Sequence, residues 1–172
     1  MNIVLIGYRC SGKTSSGKII AEKMGRGFID TDSMIEEKAG CPIEEIINVK
    51  GWEHFRGLEK EVIKELSAMD NLVIATGGGV VIDEDNVKYL KKNGFVVWLK
   101  AGIDIIRERM ERDELSGITR PSLTDEDPME EVRKVLDIRE TFYRRARDFE
   151  LDTGGISIWD AADLIMRKAS ME

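Results

Sequence analysis

Eight residues near the N-terminus have the spacing of a loop that binds nucleotide phosphates. Residues 7–14 read Gly-Tyr-Arg-Cys-Ser-Gly-Lys-Thr and match the pattern G-x-x-x-x-G-K-[ST]. Such a loop turns its backbone N–H groups toward phosphate oxygens, and the helix that follows adds a field that favours anions. Lys13 can reach the β- and γ-phosphates, and Thr14 offers a hydroxyl to Mg²⁺. We therefore predict that ATP binds here with Mg²⁺, in contact with Gly7, Ser11, Gly12, Lys13, Thr14 and Ser15.

Two aspartates follow the second apolar run of the chain, in the sequence Asp30-Thr31-Asp32. In an open parallel sheet, ligands bind at the edge where the strands end. One carboxylate, Asp30, can hold Mg²⁺, and the other, Asp32, can accept a hydrogen bond from an acceptor hydroxyl. The alternative is that Asp32 only caps a helix that begins near Ser33.

The third apolar run ends in Thr76 and three glycines, Gly77, Gly78 and Gly79, without the acidic residue that many P-loop motors and switches carry there. The sequence Asn-Lys-x-Asp, which selects guanine, is also absent. Both features point away from GTPases and mechanical ATPases and favour a small kinase. Consecutive glycines let a backbone approach a ligand closely, although they also suit a plain loop.

Arginines on two predicted helices could hold an anionic acceptor. Arg56 and Glu59 are three residues apart and therefore share a helix face, and Arg139 shares a face with Tyr143. Arginine binds carboxylates with two parallel hydrogen bonds, so the two arginines suit an acceptor with a carboxylate. The alternative is that both are solvated partners in surface salt bridges.

Apolar runs alternate with helix-like stretches along the chain. The runs are residues 2–6, 28–29, 72–75, 95–99 and 149–151, and the helix-like stretches are 13–24, 52–68, 83–92, 103–112, 128–146 and 157–169. This alternation predicts a parallel sheet covered by helices on both faces, a three-layer α/β/α domain spanning residues 1–172. Residues 111–127 are polar and lack periodicity, which indicates a mobile surface segment near the site.

The composition bears on nucleic-acid binding, on the state of the cysteines and on cellular location. The chain has 172 residues, 42% of them hydrophobic, and a net charge of -7, which disfavours non-specific binding of nucleic acid. Its two cysteines, Cys10 and Cys41, have no metal-type spacing and are expected to be reduced. We see no signal peptide and no apolar run long enough to span a membrane, so we expect a cytoplasmic protein.

Taken together, these motifs make the chain resemble the shikimate kinase family from Met1 to about Ala169. The resemblance rests on the phosphate loop and on an ordered set of further motifs, which are Asp30-Thr31-Asp32, Phe55-Arg56-x-x-Glu59, Gly77-Gly78-Gly79-Val80, Arg120-Pro121, and Arg139 with Tyr143. The phosphate loop occurs in many families, whereas the ordered set of the other motifs is far more specific.

This resemblance implies a fold like that of nucleoside monophosphate kinases, with a five-stranded parallel sheet in the order 2-3-1-4-5. It implies MgATP-dependent phosphorylation of the 3-hydroxyl of shikimate, a step in aromatic amino-acid biosynthesis. Arg56 and Arg139 would bind the shikimate carboxylate, and Glu59 would support Arg56. Asp32 would contact the reacting hydroxyl and could act as the base.

The remaining residues implied by the resemblance lie along the nucleotide and in a lid. Thr14 and Asp30 would hold Mg²⁺, and the glycines Gly77 to Gly79 would approach the acceptor with their backbone. Arg120 would belong to a lid, about residues 111–127, that closes over the phosphates, and Arg112 would lie near the adenine. The acceptor region would span about residues 32–60, and the working unit is expected to be a monomer.

The chain departs from the family pattern in two places, and other functions stay open. Cys10 stands where the family more often has glycine, and Ser122 stands where the lid more often has leucine. A gluconate kinase or a nucleoside monophosphate kinase would share the phosphate loop and a lid but would need different acceptor contacts. A nucleotide-sensing module without catalysis would bind ATP and transfer nothing.

Overall fold

In a computed structural model, which describes residues 1–115 and 128–171, five apolar runs form a parallel sheet. The strands are β1 (Asn2–Ile6), β2 (Gly27–Asp30), β3 (Leu72–Ala75), β4 (Gly94–Lys100) and β5 (Phe149–Asp152). Their order across the sheet is β2-β3-β1-β4-β5, and every neighbouring pair is parallel. The predicted fold class and strand order are therefore confirmed.

Helices cover both faces of the sheet because alternate residues of each central strand point to opposite sides. The helices are α1 (Lys13–Met24), α2 (Thr31–Ala39), α3 (Ile43–Leu66), α4 (Glu84–Lys92), α5 (Ile103–Leu115), α6 (Pro128–Ala146) and α7 (Ile158–Ala169), with a short 3-10 helix at Val80–Ile82. In β1, Val4 and Ile6 pack with α2, α3, α4 and α6, whereas Ile3 and Leu5 pack with α1 and α7. The carboxyl ends of the strands meet at one edge, where the site is built.

The structure places several helix boundaries differently from the sequence prediction. α3 begins at Ile43 and is broken at Gly51, whose φ of 83° lies in the left-handed region that glycine adopts easily. The predicted helix from Trp52 is therefore the second half of a longer, kinked element. α5 continues to Leu115, so the first residues of the predicted polar segment are helical, and residues 116–127 lie outside the described part.

The cap of α2 corrects one alternative from the sequence. The side chain that accepts the helix N-terminal amide belongs to Asp30, whose Oδ1 lies 3.1 Å from the backbone nitrogen of Asp32. Asp32 itself lies in the first turn, so its side chain does not serve as the cap. Among residues 1–115 and 128–171, no helix combines the length and the apolar character needed to cross a membrane.

Candidate active site

The phosphate loop joins β1 to α1 and depends on left-handed backbone conformations. Gly7 has φ +142° and Gly12, the residue before α1, has φ +95°. A Cβ atom on Gly7 would collide with the carbonyl oxygen of Leu99 at the end of β4. Cys10 also has a positive φ, 59°, which is uncommon for a residue with a side chain. The loop therefore needs glycine at position 7, where the neighbouring strand leaves no room.

Lys13 and Ser11 give this loop groups suited to an anion. The Lys13 side chain is buried, and its Nζ donates to the carbonyl oxygens of Gly7 at 2.9 Å and Tyr8 at 2.7 Å. The Ser11 hydroxyl is buried and has no hydrogen-bond partner among the described residues. A buried hydroxyl of this kind is costly unless a ligand satisfies it. The loop thus fits the phosphates of a nucleotide.

Thr14, in the first turn of α1, meets Asp30 at the end of β2. The Thr14 hydroxyl donates to Asp30 Oδ2 at 2.9 Å, while the other oxygen of Asp30 caps α2. A hydroxyl and a carboxylate at the phosphate loop are oxygen donors of the kind that Mg²⁺ takes together with substrate phosphates. The two residues therefore fit the predicted metal role.

The glycine run after β3 is surrounded by the side chains predicted to bind the acceptor. A Cβ atom on Gly77 would lie 2.7 Å from Asp32 Oδ1 and 3.2 Å from Glu59 Oε1. The backbone amide of Gly77 donates to the Thr31 hydroxyl at 3.0 Å, which fixes the run against the start of α2. The absence of a side chain at Gly77 is thus what lets two carboxylates approach this backbone.

Two arginines reach the same run from different helices. A Cβ atom on Gly79 would lie 2.8 Å from Arg56 Nη1, and one on Gly78 would lie 3.5 Å from Arg139 Nη1. Arg56 comes from α3 and Arg139 from α6, so positions 83 residues apart in the sequence converge here. Two guanidinium groups at one loop form a site for a carboxylate or another anion.

Glu59 holds Arg56 in place. Arg56 Nη1 donates to Glu59 Oε2 at 2.7 Å, and the Glu59 side chain is only 2% exposed. Burial raises the pKa of Glu59, and the nearby charges of Arg56 and Arg139 offset part of that rise. Glu59 Oε1 is buried without a hydrogen-bond partner among the described residues, so this oxygen can still accept a bond from a ligand.

Comparison with known proteins places this geometry in a family. The family model described as Shikimate kinase matches residues 9–169. This chain belongs to the shikimate kinase family. The shikimate kinase of Thermodesulfovibrio yellowstonii is 41% identical over 167 residues, which cover 97% of this chain and 94% of that one. The shikimate kinase of Symbiobacterium thermophilum is 40% identical over 168 residues, 98% of this chain and 95% of that one.

Solved structures of the family have the same fold. The shikimate kinase from Acinetobacter baumannii in complex with shikimate aligns with a TM-score of 0.90 and 35% identity, covering 99% of this chain and 93% of that one. The shikimate kinase from Bacteroides thetaiotaomicron aligns with a TM-score of 0.88 and 27% identity, covering 99% of this chain and 98% of that one. The parallel sheet and the phosphate loop of this chain are thus those of a shikimate kinase.

Arg109 is a residue of the candidate site that the sequence did not single out. Its guanidinium donates to the carbonyl oxygen of Cys10 at 3.0 Å and to the hydroxyl and carbonyl of Thr153 at 3.1 and 2.8 Å. The Thr153 hydroxyl in turn contacts the carbonyl of Ser11 at 3.2 Å. Arg109 therefore ties α5 and the loop after β5 to the phosphate loop.

Arg112 and Arg120 are the two arginines that were predicted to lie near the nucleotide. Arg112 forms an ion pair with Glu108 on the same helix, and its side chain is 69% exposed. Its predicted place near the adenine stays a prediction. Arg120 lies outside the described residues, so its predicted role in a lid also stays a prediction. No pattern in the sequence singles out Arg109, because its contacts with Cys10 and Thr153 depend on tertiary packing.

Proposed function

We propose that this chain transfers the γ-phosphoryl group of ATP to the 3-hydroxyl of shikimate and releases shikimate 3-phosphate and ADP. The observation that carries the proposal is the convergence of Arg56, Arg139, Asp32 and Glu59 on the glycine run beside the phosphate loop. Family membership supports it, since the relatives are named shikimate kinases and one was solved with shikimate. The reaction is a step toward chorismate and the aromatic amino acids.

The charges around the glycine run match an acceptor with a carboxylate and hydroxyl groups. Arg56 and Arg139 supply two guanidinium groups for the carboxylate, which would fix one end of the ring. Asp32, whose Oδ1 lies beside Gly77 as Glu59 Oε1 does, supplies an oxygen that can accept a hydrogen bond from a hydroxyl. Gluconate also carries a carboxylate and hydroxyl groups, so it is family membership that favours shikimate over gluconate, whereas a nucleotide acceptor would need a pocket for a base.

Phosphoryl transfer depends mainly on positioning and on stabilising the charge of the transferred group. Lys13 is the buried cation of the phosphate loop, so it would leave the carbonyls of Gly7 and Tyr8 for phosphate oxygens when ATP binds. Thr14 and Asp30 would hold Mg²⁺, which neutralises charge on the phosphates when bound. Asp32 would orient the acceptor hydroxyl and take its proton.

The proposal extends to a lid over the phosphates, to the cellular location and to the oligomeric state. We propose that residues about 111–127 close over the phosphates and exclude water, with Arg120 contributing positive charge. We also propose a cytoplasmic monomer; Cys10 and Cys41 form no disulfide, which suits a reducing compartment. Gel filtration with light scattering tests the monomer, and a dimer peak at micromolar protein would contradict it.

The direct test of the reaction is release of ADP from MgATP with four acceptors offered separately, shikimate, gluconate, CMP and UMP. We expect turnover with shikimate alone, and phosphorus NMR of the product should show a phosphate ester on the 3-hydroxyl. The exposed residue Lys18 offers a control, because Lys18→Met should keep activity whereas Lys13→Met should lose it. Turnover with gluconate or a nucleotide instead would overturn the proposed acceptor and leave the phosphate loop in place.

A further inference from the structure

Tyr143 of α6 contacts the glycine run on which the residues predicted to bind the acceptor converge. Its side chain is only 1% exposed, and its hydroxyl donates to the carbonyl oxygen of Gly78 at 2.5 Å. Gly78 is the middle residue of the run on which the acceptor residues converge. A buried phenol therefore holds the backbone of that run through the Gly78 carbonyl.

The same hydroxyl also meets Arg139. The two residues are four apart on α6, one turn of the helix; burial raises the pKa of the phenol, and the nearby Arg139 guanidinium offsets part of that rise. A Cβ atom on Gly78 would lie 3.5 Å from Arg139 Nη1 and 3.7 Å from the Tyr143 hydroxyl. Backbone, guanidinium and phenol thus meet at one point of the site.

The ring of Tyr143 is fixed to the sheet. It stacks on Trp98 of β4 with 5.7 Å between the ring centres and an angle of 23° between the planes. Aromatic side chains have few rotatable bonds, so this stack leaves the hydroxyl little freedom of position. Strand β4 therefore fixes the position of the hydroxyl, and the hydroxyl fixes the backbone of Gly78 beside Arg139.

We propose that Tyr143 is a positioning residue for the acceptor, and that its hydroxyl holds the Gly78 carbonyl and the Arg139 guanidinium in the arrangement that receives the acceptor carboxylate. The inference rests on the proposed function for the identity of that acceptor. Tyr143 would touch neither ATP nor the reacting hydroxyl, so its effect reaches the reaction through binding of the acceptor. Burial, its largest influence, raises the pKa of Tyr143 to about 12, which keeps the phenol neutral and able to donate at ordinary pH.

The test compares Tyr143→Phe with Tyr89→Phe, since Phe keeps the ring and removes only the hydroxyl. Tyr89 is half-buried on α4 and packs at the rim of the same core, which makes its substitution a matched control. We expect Tyr143→Phe to raise KM for shikimate about tenfold, with KM for ATP and kcat within about twofold of wild type. Tyr89→Phe should leave all three constants unchanged. Thermal melting of both variants verifies that each is folded under assay conditions.

A double-mutant cycle separates positioning from a general packing role. If the hydroxyl acts through Arg139, the effects of Tyr143→Phe and Arg139→Ala on kcat/KM for shikimate will be strongly non-additive. Fully additive effects, an equal rise in KM for ATP, or wild-type constants in Tyr143→Phe would each overturn the positioning role alone. A wild-type enzyme that fails to phosphorylate shikimate would overturn the proposed function as well, so the two failures are distinguishable.

Discussion

The hydroxyl of Thr14 lies 2.9 Å from a carboxylate oxygen of Asp30, and the other oxygen of Asp30 caps helix α2. One side chain therefore serves both the phosphate loop and the start of the helix that carries Asp32. Because Asp30 caps the start of α2, the position of Asp32, which is predicted to contact the acceptor hydroxyl, depends on Asp30, which is predicted to hold Mg²⁺. The donor and acceptor halves of the site are thus joined through Asp30.

Replacing Asp30 should change the magnesium requirement. We expect Asp30→Asn to raise the Mg²⁺ concentration for half-maximal activity by about tenfold, because a carboxylate that Mg²⁺ favours becomes a neutral amide. Asp83 is a matched control, since its side chain caps α4 in the same way by accepting from the amide of Asp85. Asp83→Asn should keep the cap of α4, since asparagine caps a helix as well as aspartate does, and leave the Mg²⁺ titration unchanged. An unchanged titration in Asp30→Asn would exclude Asp30 from the metal site.

Asp32 is expected to act on the acceptor hydroxyl and not on ATP. Asp32→Asn should lower kcat by about 100-fold or more, the usual contribution of a general base, while the Kd for ATP measured by calorimetry stays near the wild-type value. Asp104, an exposed aspartate in the first turn of α5, offers a control in the same helical position. Asp104→Asn should retain full turnover. Turnover like that of wild type in Asp32→Asn would remove Asp32 from the mechanism.

Glu59 should make acceptor binding sensitive to acid. Burial raises the pKa of Glu59, so this carboxyl becomes protonated at a higher pH than an ordinary glutamate and then loses its ion pair with Arg56. KM for shikimate should therefore rise as the pH falls, beginning above the ordinary glutamate pKa of about 4.3. In Glu59→Gln, KM should be raised severalfold at neutral pH, and its acid rise should be lost.

The same shift of the Glu59 pKa predicts the direction of a stability effect. Between the ordinary and the raised pKa, the folded state binds more protons than the unfolded state, so the contribution of Glu59 to the free energy of unfolding falls as pH rises. The stability of Glu59→Gln relative to wild type should consequently increase with pH across that window. Glu65→Gln, on the same helix with a side chain 48% exposed, is the control and should show no such trend. A pH-independent difference for Glu59→Gln would contradict the assigned shift.

Much of the fold could be predicted because its three inner strands, β1, β3 and β4, are continuous and mostly buried apolar runs. β1, for example, is five buried residues followed directly by Gly7. The break in α3 could not be predicted in the same way, since an isolated glycine within a helical pattern is often tolerated, and only the packing decides that Gly51 takes φ 83°. The α2 cap was ambiguous because Asp30 and Asp32 are equally good capping residues and differ only in where the turn begins.

In the candidate site as well, some residues could be predicted from local sequence patterns, whereas others depend on tertiary packing. The phosphate loop is one continuous segment, so its residues could be named from spacing alone. Arg56 and Arg139 were candidates from their helix positions, but only the family resemblance favoured a binding role over a surface salt bridge. Arg109 carries neither kind of signal, since α5 also presents Arg107 and Arg112 within six residues and the sequence does not show which face meets the phosphate loop.

The arginines of α5 allow a direct comparison at the nucleotide side of the site. Arg109 bonds to the backbone of Cys10 in the phosphate loop and to Thr153, whereas Arg107 is exposed and pairs with Asp104 at 3.5 Å. We expect Arg109→Ala to raise KM for ATP about tenfold and to leave KM for shikimate nearly unchanged, because the loop loses a charged link that shapes its backbone. Arg107→Ala should alter neither constant.

Arg112→Ala, measured beside those two variants, decides whether the arginine predicted near the adenine contributes to nucleotide binding. A rise in KM for ATP comparable to that of Arg109→Ala, with no rise for GTP used as a poor donor, would support a contact with the adenine base. Constants like those of Arg107→Ala would show that the ion pair between Arg112 and Glu108 is a surface feature, which is what its exposure favours. If Arg109→Ala also behaves like Arg107→Ala, the backbone of the phosphate loop holds its shape without α5.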